Sequence, residues 1–355
     1  MSRSVLLHAL SLNDRILEPN HLPLCGHVWA FDKLTMSHEM FVGNCISMLS
    51  LLGSQNASIV WENDIMAFDV QLGRQAATVI ISLQDDSLAS DYYYFLGIWV
   101  AADEVAGAGE WLDPDDWERE GLLAPAISYE VIVADKPLQL PQVKKIVGAD
   151  PFAENICHSA FRLYGCTEVT PRLSGRFVMC PAMHASNHGR FEVRHALYSL
   201  RNLMALAGCA MKMHDQVLEN SLSHRLAQDI EKLQGLLARE QIDAAEWAAM
   251  VREGGRIALL AASEEMVHQK MRPDARNLFR LFESIEAELD ISDMSGMPSL
   301  SARMRMPFEY ASELIEEKLA VLSGLDKQSG ILQLQINNCI LVTQQLALER
   351  LLASA

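Results

Sequence analysis

Between Pro181 and Pro273 the chain carries no proline. Proline removes a backbone donor and clashes with the preceding helical turn. A stretch of this length without it, filled with Ala, Leu, Glu, Gln and Arg, can hardly fold except as long helices. The apolar spacing predicts helices over 189–218, 221–239, 244–271, 273–290, 307–323 and 327–352. Asn220, Ser221 and Asp243 have side chains suited to N-caps, and Pro273 followed by Asp274 suits a helix start. Residues 291–306 read as a loop. In 307–323 the residues Tyr310, Leu314, Ile315, Leu319 and Leu322 form one apolar face, and Leu334, Leu341 and Leu348 recur at heptad spacing. That recurrence is a packing seam, either within a helical bundle or across a dimer.

The chain before residue 188 has a different texture. Residues 26–31 are rich in aromatic and β-branched side chains and read as a strand. Thr35 then stands as an N-cap, with Glu39 in the first turn of a helix that ends at Gly53. Strands are expected at 57–62, 65–72 and 76–83. A second unit repeats the order: a strand at 128–134, a short helix at 140–147, and strands at 156–162, 166–172 and 175–181. The expected fold class is therefore α+β. It has a mixed α/β amino-terminal domain over 1–187, with a duplicated β-α-β-β-β unit at 26–83 and 128–181. A helical-bundle domain over 188–355 follows. The span 84–127 reads as an irregular acidic connector with one or two short helices. Its eleven Asp or Glu residues between 85 and 120 face a single Arg, Arg119. A solvated connector or a docking surface for a basic partner would both fit that charge.

Half the residues are apolar, enough for a sizeable core. The formal net charge of -17, without any dense run of Lys and Arg, argues against nucleic acid as a partner. The seven cysteines are odd in number, scattered, and lack C-x-x-C spacing, so buried thiols in a reducing compartment are expected. No run approaches the roughly 18 apolar residues of a membrane span. The chain is expected in the cytoplasm.

Few residues carry the spacing of a reactive site. His184, His188, Glu192 and His195 would share one face of a helix, and imidazole with carboxylate suits zinc, iron or manganese. Pro181 and Gly189 place the helix start near 188, which would leave His184 outside it. Paired β-α-β-β-β modules are also similar to those of vicinal-oxygen-chelate enzymes. By that analogy His27 and Asp85 or Asp86 become metal-ligand candidates, against the plainer reading of His27 as a solvent-facing residue on a strand edge. No nucleophile elbow, phosphate loop or dinucleotide fingerprint occurs. Cys157–His158 would point to opposite faces of a strand. Asp113, Asp115 and Asp116 lack the glycine and distal Glu of a calcium loop. No catalytic residue and no cofactor is expected, with a divalent transition metal the one group these side chains could take. The expected role is that of a non-catalytic interaction or assembly protein, self-associating through its helical half or joining a protein partner. A metal-dependent enzyme and a small-molecule sensor are the alternatives.

Four stretches together resemble an uncharacterised bacterial family, domain-of-unknown-function family 3422. They are Leu6-Leu7-His8-Ala9, Pro114-Asp115-Asp116-Trp117, Gly189–Leu206, and Tyr310–Leu322 with its Ile315-Glu316-Glu317 core. Leu10-Ser11 stands where that family has Arg-Pro, and Leu197, Ser199 and Arg201 replace its acidic and tyrosine positions. The resemblance implies an architecture and no assigned activity. Members tend to end in apolar anchoring helices, so the chain is expected to be a short member without that anchor.

Overall fold

The structure is a computed structural model. It describes residues 24–51, 65–72, 75–84, 88–101, 121–147, 154–157, 161–169, 172–181, 189–219, 221–239, 242–288 and 300–354. The elements run β1 (Leu24–Asp32), α1 (His38–Leu51), β2 (Ile65–Leu72), β3 (Gln75–Ser82), a 3-10 turn (Leu88–Asp91), β4 (Tyr93–Ala101), β5 (Ile127–Val133), α2 (Leu140–Val147), β6 (Glu154–Cys157), β7 (Phe161–Val169) and β8 (Leu173–Pro181). Four long helices follow: α3 (Gly189–Glu219), α4 (Ser223–Leu237), α5 (Ala244–Glu288) and α6 (Leu300–Ser354). The fold class is thus α+β, a mixed α/β region followed by a helical one.

The strands make one mixed sheet in the order β2-β3-β4-β1-β5-β8-β7-β6. Among the described residues each half runs β-α-β-β-β, but the first series ends with β4 at 93–101 rather than within the 26–83 expected for it; the two series occupy mirror positions about the central β1–β5 pair. They are not superimposable copies. β1 pairs antiparallel with β4, whereas β5 pairs parallel with β8, so the three return strands run oppositely in the two series. The strand expected at 57–62 lies outside the described residues.

Four elements depart from expectation: β4, α5, α6, and β7, which runs unbroken from Phe161 to Val169 across the gap expected between strands 156–162 and 166–172. β4 falls inside the stretch read as an irregular connector. Tyr94, Leu96, Ile98 and Val100 point to one face and Tyr93, Phe95, Gly97 and Trp99 to the other. Both faces are covered, so the strand shows no polar alternation to betray it. The departures in α5 and α6 concern helix breaks. Pro273 sits inside α5 and Pro307 inside α6, and α6 also runs through Gly324. At residue 273 the helix surface is exposed, and water can take the carbonyl that proline leaves without a donor.

The sheet carries helices on both faces. On one, Phe41 of α1 packs its ring 5.4 Å from Phe31 and 4.9 Å from Tyr94. Val143 of α2 joins the same buried cluster as Cys25, Trp29, Ile98, Ile132 and Val178. The α1 cap is Ser37, whose Oγ accepts from the Met40 N–H, rather than Thr35. Thr35 instead belongs to a turn closed by Asp32. Asn44 exchanges two hydrogen bonds with the Leu123 backbone, 3.0 and 3.1 Å, fixing the entry into β5. On the opposite face the first part of α3 packs closely. A Cβ on Gly208 would lie 2.7 Å from Ile127 and 2.9 Å from the Tyr93 hydroxyl, and the Arg201 guanidinium sits 4.9 Å over the Phe95 ring. Burial, then the neighbouring Cys209, push the Tyr93 phenol well up.

The chain divides into two compact units, 1–209 with 278–307, and 210–277 with 308–355. In the second, Leu226, Ile230 and Leu233 of α4 meet Met250, Ile257 and Ala261 of α5 and Leu322, Leu325, Leu332 and Ile336 of α6. Asp243 caps α5 by accepting from the Glu246 N–H at 2.7 Å, while Glu246 accepts from the Asp243 N–H at 3.0 Å, a reciprocal capping box. At the start of α4 no local side chain caps. Both oxygens of the buried Glu264 accept from the Leu222 N–H instead, each at 3.1 Å.

Candidate functional site

In a strand, residues two apart share a face, so Cys25 and His27 of β1 point the same way. The β1–β5 register sets His27 directly across from Glu130, and the β5–β8 register sets Glu130 beside Arg176. Four polar side chains thus gather on one face of the central strands, under α1 and α2. The Cys25 thiol donates to Glu130 Oε1 at 3.4 Å, and His27 Nε2 lies 3.9 Å from the same oxygen. The other carboxylate oxygen, Oε2, is held at 2.8 Å by Arg176 Nε. Arg176 also donates to the Ile146 carbonyl in the last turn of α2, where the helix dipole favours a cation. The His27 ring stacks on Trp29 with centroids 5.7 Å apart and 14° between planes.

The cluster is graded in exposure. Cys25 is buried, and the side chains of Glu130, His27 and Arg176 are 8%, 15% and 45% exposed, so Arg176 marks the solvent side. A buried carboxylate needs a partner to offset its lost hydration, and Arg176 supplies one. Cys25, His27 and Glu130 each offer one ligand atom, and these atoms lie within 4.8 Å of one another. His27 is therefore not a solvent-facing strand-edge residue. It belongs to a central strand, and its neighbours come from β1 and β5.

The other candidate ligands fare differently. His184, His188, Asp85 and Asp86 lie outside the described residues. Glu192 and His195 sit on α3. Sequence spacing alone did not single out Glu130. The available sign was a lone carboxylate inside the apolar run Tyr129-Glu130-Val131-Ile132-Val133, since a charge on a buried strand needs a purpose.

A second feature lies on α6. Ile336 is its last fully buried residue, and residues 341–353 are exposed throughout. Leu334, Leu341 and Leu348 are 64%, 62% and 61% exposed, so the described residues of their own unit leave the heptad seam uncovered. Ile331 and Leu352, both exposed, and Asn338 and Gln345 complete the alternating seam positions. Residues 328–348 contain no Asp, Glu, Lys, Arg or His. No helix among the described residues is long and apolar enough to cross a membrane.

No family model matches the sequence, and no curated protein matches it. The structure of the full-length CmaX protein aligns with 72% of this chain and 77% of its own length, at 12% identity and a TM-score of 0.25, a likeness too slight to carry an argument.

Proposed function

We propose that the chain is a non-catalytic assembly protein that self-associates through the end of α6, as a parallel two-stranded coiled coil with a second copy of itself. The observation that supports this reading is the exposed seam. Leu334, Leu341 and Leu348 occupy one core position of three successive heptads, and Ile331, Asn338, Gln345 and Leu352 occupy the other. Leucine at the first position with an Asn at the second is the pattern of parallel dimers. In that arrangement Asn338 meets Asn338 and Gln345 meets Gln345 of the partner, and each amide can satisfy the other. An antiparallel pair would set these amides against leucines.

Charge favours this site of contact in one respect only: the overall net charge of -17 opposes association of two copies, and the uncharged stretch 328–348 is where that repulsion is locally smallest. The stretch 331–352 spans about 33 Å of helix, about three heptads. Light scattering and sedimentation of the full chain across micromolar concentrations test the proposal. A dimer that dissociates on dilution is expected, and a monomer at every concentration overturns it. The order of the four stretches shared with family 3422 supports the further proposal that the chain is a relative of that family. Of these stretches, Gly189–Leu206 lies in α3 and Tyr310–Leu322 in α6.

A further inference from the structure

We propose that Cys25, His27 and Glu130 form a site for a borderline-soft divalent metal of the zinc class, with Arg176 orienting the carboxylate. The proposal is independent of self-association through α6.

Three observations carry it. The first is chemical. A thiol, an imidazole and a carboxylate are the donor types that zinc takes in three-ligand sites. A thiolate favours zinc over the hard cations, which prefer oxygen alone. The second is geometric. Tetrahedral bonds of about 2.0–2.3 Å set ligand atoms roughly 3.3–3.6 Å apart. The Cys25–Glu130 separation of 3.4 Å already lies in that range, and the His27–Glu130 separation of 3.9 Å needs only a small side-chain adjustment. The third is the surrounding shell. Arg176 occupies Oε2 and so leaves Oε1 facing Cys25 and His27. Trp29 holds the imidazole plane by stacking. Such outer contacts set the direction of the ligands in metal sites.

The charge balance is also sound. Without metal, the Cys25 thiol spends its proton on Glu130. The incoming M2+ displaces that proton, which leaves to solvent; the new thiolate and the carboxylate face the ion, and with Arg176 counted the loaded cluster carries one net positive charge on its half-exposed, solvent side. His27 binds as the neutral imidazole, and water fills the remaining position. Binding therefore releases one proton and weakens as pH falls. Ion pairing with Arg176 alone accounts for Glu130 but not for a thiol and an imidazole aimed at its other oxygen.

The test uses the full chain, stripped with chelator and titrated with Co2+ as a spectroscopic stand-in for zinc. One equivalent is expected to produce tetrahedral visible bands together with a near-ultraviolet thiolate-to-cobalt band, and Zn2+ is expected to bleach both. Cys25→Ser should remove the thiolate band, and Cys339→Ser, at an exposed cysteine on α6, should leave it intact. Far-ultraviolet circular dichroism checks folding of each variant, and His27→Gln serves if Cys25→Ser does not fold. An absent thiolate band in the wild-type protein, or one lost with Cys339→Ser, overturns the assignment.

Discussion

The substitution Leu341→Ala separates association from folding, because its side chain is 62% exposed in the single chain. The change removes three carbons, worth about 2.4 kcal/mol at roughly 0.8 kcal/mol per buried methylene. Only the part still exposed can be gained on association, which leaves about 1.5 kcal/mol per chain. Two chains contribute, so the dimer loses about 3 kcal/mol, or roughly two decades in Kd at 1.4 kcal/mol per decade. Folding of the single chain should hardly change, since alanine is at least as good a helix former as leucine and the lost contacts were few. Sedimentation equilibrium of wild type and variant gives Kd, and circular dichroism melting gives stability. Leu259→Ala, at an exposed leucine of α5 outside the seam, is the control and should leave Kd unchanged. Equal Kd values for wild type and Leu341→Ala, or an equal loss in the Leu259 control, would refute the reasoning.

Three further outcomes follow from packing and electrostatics. Gly26 lies opposite Trp99, and an added Cβ would meet that ring at 2.5 Å, so Gly26→Ala should cost about 1–3 kcal/mol of unfolding free energy in urea titration. An unshifted midpoint would contradict the close approach. Glu264→Ala strips the start of α4 of its carboxylate partner and should cost about 1–3 kcal/mol, read by the same titration. A change within about 0.5 kcal/mol would show that water replaces the bond at no loss. Acid should weaken the second unit through the Arg256 cluster. Burial raises the Asp229 carboxyl, but Lys232 and Arg256 together bring it below its ordinary 3.8. A hydrogen bond from Arg256 brings Glu253 below its ordinary 4.5. Both groups bind protons more weakly in the folded chain, so their contribution is present above those ordinary values and lost as pH falls through the lower folded ones. The double variant Asp229→Asn, Glu253→Gln should flatten the acid limb of a stability-against-pH curve, and an unchanged limb would exclude these carboxylates as its source.

The local sequence carried much of the fold. Helical spacing, capping residues and β-branched runs located α1, α2, α3, α4 and most of the strands within a few residues, because each signal acts over one or two turns. It failed where tertiary cover replaced local pattern. β4 is apolar on both faces, since helices cover both, and so lost the alternation that marks a strand. Pro273 and Pro307 did not interrupt their helices; at the exposed Pro273 water can take the carbonyl left without a donor. Leu334, Leu341 and Leu348 were legible as a seam, but only the course of α6 beyond Ile336 placed it outside the bundle. The cluster on the sheet was the least legible. Cys25 and His27 are neighbours in sequence, while Glu130 and Arg176 arrive from strands more than a hundred residues away. Strand alternation determined which way each side chain points. Pairing register alone decided that they meet, and that register is set by burial of the whole sheet rather than by any residue in the cluster.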